Sequence, residues 1–368
     1  MRIGLGSPLG VLLTGLASFT MMGFAQGLIG PALPELTRNF SLPEGAAGLL
    51  VSAQWGGSAI GVAAIYFWSH RITPRLALAI LAVGGAGLTL QPSWVLMLIS
   101  ALVFGTGYGM ATAVFNPRVL QAFQTRGASM VGLLNAAYAA GAILSPLAFV
   151  ALGNSSMLAF GTAAAAYLVI WLFAAEPTRE AIVQSPSKAR TGFKPHYPLL
   201  VFAALGIGLE ATLAGLGPTA LIRAGASEAQ AAQLLSGFFF TFLAARLGLG
   251  LVADRIGSFT LYVAAMALTV LASGAAVMGQ EGVAFVAMGA SAGMFFPAIF
   301  VTGARKMGDD PRVTPVILGS ALVGGIGMPL LVSWLGAGLG EMGFFWLVLA
   351  ISAPAALAAA LSLRSMAR

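Results

Sequence analysis

The sequence predicts an all-α integral membrane protein, with twelve transmembrane helices in two pseudo-twofold-related six-helix bundles, and three observations lead there. Hydrophobic residues make up 59% of the 368 positions and charged residues 8%, too few to build a water-facing surface, so the solvent is lipid. Apolar stretches of roughly 20 residues, the helical length that crosses about 30 Å of hydrocarbon, recur along the whole chain. The second half also repeats the first: GTGYGM at 105–110 returns as GASAGM at 289–294, and HRI at 70–72 as DRI at 254–256, both at an offset of half the chain length. A third echo, GAILSPL at 141–147 against GGIGMPL at 324–330, falls one position short of that offset. A duplicated helical bundle of this kind places its site between the halves, near the bilayer midplane.

The predicted spans are 8–31, 46–68, 76–92, 94–118, 129–152, 157–175, 197–219, 232–253, 259–279, 282–304, 315–338 and 342–363. The third is short by count. Arg2 followed by an apolar run imitates a secretory signal, but many spans follow and no small-residue cleavage site ends the run, so it reads as a retained first helix. The long polar stretch EPTREAIVQSPSKARTGFKPH at 176–196 has the prolines, serines and charges of a solvated tether. The expected organisation is therefore an N-terminal six-helix bundle at 1–175, a cytoplasmic linker at 176–196 and a C-terminal bundle at 197–368. Two loops carry capping-box spacing at matching points of the halves, Ser41 with Glu44 before the second span and Ser227 with Gln230 before the eighth.

Charge decides orientation. With the N-terminus inside, Arg2, Arg71, Arg75, Arg118, Arg126, Arg179, Lys188, Arg190, Lys194, Arg255, Arg305, Lys306, Arg312, Arg364 and Arg368 fall in cytoplasmic segments, against Arg38 and Arg223 outside. Fifteen against two puts both termini and the linker in the cytoplasm, and the plasma membrane expected is a bacterial inner membrane. The net charge of +7 does not signal nucleic acid, because the basic residues are scattered singly with no interleaved aromatics.

Of the eleven acidic residues, Glu210 alone falls well inside a span. A carboxylate in hydrocarbon costs several kcal/mol or more, so it faces a partner or a wet cavity, or carries a proton. That makes it the proton-coupling candidate, with a structural hydrogen bond between helices as the bland alternative. Gln26, at the equivalent position of the first half, is its uncharged counterpart. Arg246 either neutralises Glu210 or binds an anionic substrate, or else snorkels toward the cytoplasmic face and braces the Asp254 loop. Gln26, Gln54, Tyr108, Asn116, Asn135 and Tyr138 offer neutral donors and acceptors to a hydroxyl-rich or amide ligand, each being equally able to tie two helices together. Phe295 and Phe296, followed by Pro297, form an aromatic wall with a helix break, or simply pack. Gly105 with Gly109, and Gly289 with Gly293, have the four-residue spacing that lets helices approach closely, which serves sliding of the halves or static packing alike.

GLVADRIG at 250–257 fits the G-x-x-x-D-R-x-G signature of the major facilitator superfamily, and the chain resembles that family over essentially its whole length. The resemblance implies a gating loop built on Gly250, Asp254, Arg255 and Gly257. The first-half loop IYFWSHRITPR at 65–75 keeps Arg71 but has Tyr66, His70 and Thr73 at the glycine, aspartate and glycine positions. LGIGLEATLAGLGPTALIRAGASEAQAA at 205–232, GTGYGMATAVFN at 105–116 and LLNAAYAAGAILSPL at 133–147 are similar to the fucose-galactose-glucose/proton symporter branch. The arginine usual in the superfamily upstream of the fourth-helix glycines is replaced here by Ala101.

The resemblance implies secondary active transport by alternating access, expected to be proton-coupled uptake of a sugar-like or other small polar solute, with protons and the bilayer as the other partners. Proton-driven efflux of amphipathic compounds and transport of organic anions are the alternatives. No GxxxxGK[ST] loop is present to bind nucleotide. An enzyme is excluded by the lack of a constellation in the membrane, since His70 and His196 are cytoplasmic and cysteine is absent. A channel is excluded by spans too apolar to ring a pore. No cofactor, metal or nucleic acid is expected, and the expected state is a monomer.

Overall fold

A computed structural model describes residues 3–4, 7–43, 45–68, 71–175, 194–252, 255–308, 310 and 312–367. Twelve long helices follow one another: α1 (Pro8–Asn39), α2 (Gly48–Trp68), α3 (Pro74–Leu90), α4 (Trp94–Phe123), α5 (Gly127–Ala151), α6 (Ser156–Phe173), α7 (Tyr197–Arg223), α8 (Glu228–Val252), α9 (Ser258–Ala275), α10 (Glu281–Met307), α11 (Val313–Gly336) and α12 (Gly343–Leu361). Every predicted span has its helix. The shortest is α3 at 17 residues, about 26 Å at 1.5 Å per residue. It is held at its start by Thr73, whose side chain accepts the Leu76 N–H. The one strand pairing among the described residues is a two-residue parallel bridge, Ile3–Gly4 with Ala174–Ala175.

Two boundaries differ instructively from the prediction. Span one was expected to stop at residue 31, yet α1 runs to Asn39 through Pro31 and Pro34, both buried. Proline inside a span is tolerated where neighbouring helices satisfy the backbone it frees. The extension carries Glu35 to the start of α6, where its carboxylate accepts the Ser156 N–H, an orphan donor at a helix N-terminus. The predicted break between spans nine and ten is a π turn, Ala276–Gln280, opened by Gly279 at φ 88°, a left-handed conformation that favours glycine.

The chain divides into two compact units, Met1–Leu42 with Leu49–Gln184, and Pro43–Gly48 with Ser185–Arg368. The turn between α1 and α2 thus groups with the second unit, apart from the bundle that sequence position assigns it to. The physical tie is Ser333 of α11, whose hydroxyl donates to the Gly45 carbonyl at 2.8 Å and accepts the Gly48 N–H at 3.1 Å.

Each unit has the same packing. In the first, a Cβ added to Gly105 would run into the Gln54 carbonyl and one on Gly109 into the Ser58 carbonyl, so α4 lies backbone to backbone on α2. In the second, Gly289 meets the Phe238 carbonyl and Gly293 the Phe242 carbonyl, seating α10 on α8. Each glycine and each carbonyl of the second unit stands half the chain length after its counterpart in the first. Gly141 against Thr20 and Gly324 against Ala204 repeat the relation for α5 on α1 and α11 on α7. These glycines join helices of one unit. Of the two roles the spacing allowed, they serve packing.

The outward stripes are apolar: Leu90, Leu271, Trp334 and Leu361 are each more than 70% exposed, which suits lipid and would be costly in water. Of the two capping boxes, the second forms: Ser227 N–H donates to Gln230 Oε1 at 2.9 Å, and Gln230 N–H donates to Ser227 Oγ at 3.2 Å. Glu44 of the first lies outside the described residues. Ser227→Ala removes one half of this exchange and is expected to cost about 1 kcal/mol, read as a lowered melting temperature in detergent with transport intact.

Candidate transport site

In the second unit Glu210 sits mid-way along α7, and Arg246 of α8 reaches it. The Arg246 Nη2 to Glu210 Oε1 distance is 3.9 Å, and Glu210 Oε2 is buried without a hydrogen-bond partner. Three features of local sequence put the guanidinium there. Along α8 the exposed positions Phe240, Ala244 and Leu247 form one stripe, while Phe239, Phe242, Arg246 and Leu249 form the opposite, protein-facing one. Phe242, one turn before Arg246, places its ring 4.1 Å from the guanidinium carbon, close enough for a cation–π contact. The third feature is on α10. Pro297 lies inside that helix and has no N–H, so the carbonyl four residues earlier, that of Gly293, loses its helical partner. Arg246 Nε donates to that carbonyl at 3.3 Å.

Arg246 therefore turns toward the middle of its helix bundle and Glu210. The snorkelling alternative, toward the Asp254 loop, is not what the side chain does. Gly293 contributes twice, by its missing side chain and by its freed carbonyl. Sequence reading overlooked it as a site residue, although a proline four residues after a glycine was there to be noticed. At the equivalent positions of the first half stand Gln26, Val62 and Ala113, so acid, arginine and proline occur together in one half only.

In the first unit Gln54 Nε2 donates to Gln26 Oε1 at 2.6 Å. Gln54 Oε1 is buried without a partner. Tyr108 and Tyr138 meet edge to face, ring centroids 6.4 Å apart, across α4 and α5. Asn135 is exposed and its amide donates to Val131 O of its own helix. Asn116 is half-buried, its Oδ1 without a partner. The structure thus brings together Gln26 with Gln54 and Tyr108 with Tyr138, and turns Asn135 back on its own helix.

The aromatic wall divides. Phe295 is 0% exposed, packed 5.9 Å from the Tyr262 ring and against Gly206, so it is a core residue joining α7, α9 and α10. A ring that fills this core has no face left for a ligand, which corrects the reading of Phe295 as a substrate contact. Phe296 is half-buried beside Phe300, at 5.5 Å between centroids. Of the gating motif, Asp254 lies outside the described residues, as does His70. Gly250 is in the last turn of α8, Arg255 is exposed, and Gly257 is the residue that starts α9. Arg71 is exposed in the turn after α2, its N–H donating to Trp68 O at 2.9 Å.

Two units of one packing, apolar on their outward stripes, with an acid–arginine pair at mid-helix in the second, describe a polytopic membrane protein. The sequence profile of the Major Facilitator Superfamily matches residues 15–317, and the chain belongs to that superfamily. Among solved structures it is similar to the nucleoside transporter NupG, with a TM-score of 0.74 at 13% identity over 98% of this chain and 99% of that one. The D-xylose-proton symporter gives 0.71 at 15% identity over 94% and 96%, and the E. coli fucose:proton symporter FucP gives 0.63 at 17% over 96% and 99%. At these identities the likeness is one of fold. No curated protein matches by sequence. The chain is a secondary transporter, a multi-pass integral membrane protein and not an enzyme.

Proposed function

We propose that this transporter carries a small polar solute into the cell together with protons, by alternating access, with Glu210 as the proton carrier. The observation that carries the reading is the incomplete satisfaction of Glu210. Its nearest cation is 3.9 Å away and its second oxygen has no partner, so an ionised carboxylate there is poorly compensated and a proton on Oε2 relieves it. The two similar symporters are named for a sugar and a proton, which supports the coupling ion. Within the first unit, the amide pair Gln26–Gln54 is of the chemistry that suits a polar solute.

The test begins with a thermal-shift screen of sugars, nucleosides and organic acids against purified protein, since a ligand that binds the folded state raises its melting temperature. In proteoliposomes without an imposed gradient, adding the selected solute outside is expected to acidify the lumen. Solute entry with no proton movement would identify a uniporter and overturn the reading. The same proposal places the protein as a monomer in a bacterial inner membrane with both termini inside, on the fifteen-to-two distribution of cationic residues. Tags at either end or within 180–195 are therefore expected to be reached only from the cytoplasm, and labelling of any one of them in intact cells would reverse the orientation.

A further inference from the structure

We infer that Arg246 is a carboxylate-binding site, at which the carboxylate of the transported solute competes with Glu210 for the guanidinium. The inference rests on the reading of Glu210 as proton carrier and adds to it the chemical class of the solute.

A guanidinium has five N–H donors in one plane. Here Nε is committed to the Gly293 carbonyl, the Phe242 ring covers one face, and Nη2 looks at Glu210 from 3.9 Å, beyond hydrogen-bonding range. The group is thus held on three sides while its two terminal nitrogens remain available, and the side chain is 29% exposed on the stripe of α8 opposite its lipid-facing residues. Two parallel N–H bonds from such a fork match the two oxygens of a carboxylate. A hydroxyl offers one acceptor and no charge.

Charge balance favours the same class. Glu210 and Arg246 sum to zero, and a bound carboxylate makes the cluster negative. One proton from water, taken by the Glu210 carboxylate, restores neutrality in a setting where net charge is costly. Nothing else mid-helix supplies compensation among the described residues. On α7 the remaining charge is Arg223 in the last turn. Beyond Arg246, α8 has Glu228 in its first turn, and α9 has Tyr262, whose hydroxyl donates to Phe202 O. The charges of α10 are Glu281, Arg305 and Lys306 at its ends, and α11 and α12 carry none. At the matching positions the first half has Gln26 and Val62, which supply neither an acid nor a guanidinium.

The test uses the purified full-length protein and melting-temperature titrations with lactate, gluconate, succinate and benzoate, each beside an uncharged analogue: lactamide, glucose, succinamide and benzamide. Saturable stabilisation by at least one carboxylate is expected, with its analogue at least about tenfold weaker, the loss of one charge-assisted interaction. Arg246→Lys, which keeps the charge and removes the fork, is expected to weaken carboxylate binding about tenfold or more. Glu210→Gln is expected to bind the carboxylate as tightly as the natural protein or tighter, because the competitor is gone. Stabilisation by uncharged analogues and by no carboxylate overturns the inference, as does carboxylate affinity unchanged in Arg246→Lys or lost in Glu210→Gln. Failure of the proton-carrier reading shows separately, as proton-driven accumulation that survives Glu210→Gln whatever the solute.

Discussion

Glu210→Gln is expected to abolish proton-driven accumulation while leaving solute binding and exchange largely intact. The substitution keeps the shape and a hydrogen-bonding end but removes the one carboxyl group that lies mid-helix among this unit's described residues, the proposed proton carrier. For one coupled proton, each unit of imposed pH gradient is worth about 1.4 kcal/mol, or about tenfold accumulation. In proteoliposomes with the inside one unit more alkaline, the natural protein is expected to concentrate its solute about tenfold, and the variant to stop at a ratio of about 1. Counterflow of labelled solute supplies the control, since it needs alternating access and no net proton movement. A variant that still concentrates solute would show Glu210 to be a strut between α7 and α8, and Gln26 in the first half would then be its fair equivalent. Counterflow lost together with accumulation would point to Glu210 as a binding group.

How far the sequence led depends on which physical signal is in question. Span placement was legible because hydrocarbon imposes a length and a composition on each helix, and the repeat was legible because matched motifs stand half the chain length apart. Glu210 was legible by rarity. What remained hidden is what depends on which residue faces which. Pro297 was noticed as a helix break, but its consequence, a freed Gly293 carbonyl for Arg246 to cap, needs α8 beside α10 in a particular register. Phe295 and Phe296 are neighbours in sequence with the same chemistry, and only the helix phase separates the buried one from the half-exposed one. The first span, expected at 8–31, continues as α1 to Asn39 through Pro31 and Pro34, because a packed span tolerates prolines that would break an isolated helix. The attachment of the Gly45 turn to Ser333 joins residues 288 apart, and no local pattern reports such a distance.

Gly289→Leu is expected to prevent assembly of the second unit, and the reason connects packing to the site. A side chain at Gly289 would meet first the backbone carbonyl of Phe238, with Thr241 Oγ1 beside it, and one at Gly293 the backbone carbonyl of Phe242. A side-chain obstacle can rotate away, but a carbonyl inside a helix moves only with the helix, so the cost lies at or above the upper end of the roughly 1–3 kcal/mol typical of overpacked cores. Gly248→Leu on α8 is the matched control, because nothing lies within 4 Å of a Cβ placed there and leucine has the better helix propensity by somewhat under about 1 kcal/mol. In detergent, Gly248→Leu is expected to elute as the natural protein does, and Gly289→Leu to aggregate. Gly293→Ala asks the finer question, since one methyl against the Phe242 carbonyl presses α10 away from α8 and with it the carbonyl that Arg246 holds. Its expected result is a folded protein with a transport defect larger than its loss of melting temperature. If Gly289→Leu folds as well as Gly248→Leu does, the α8–α10 seam is looser than described, and the placement of Arg246 beside Glu210 loses its structural cause.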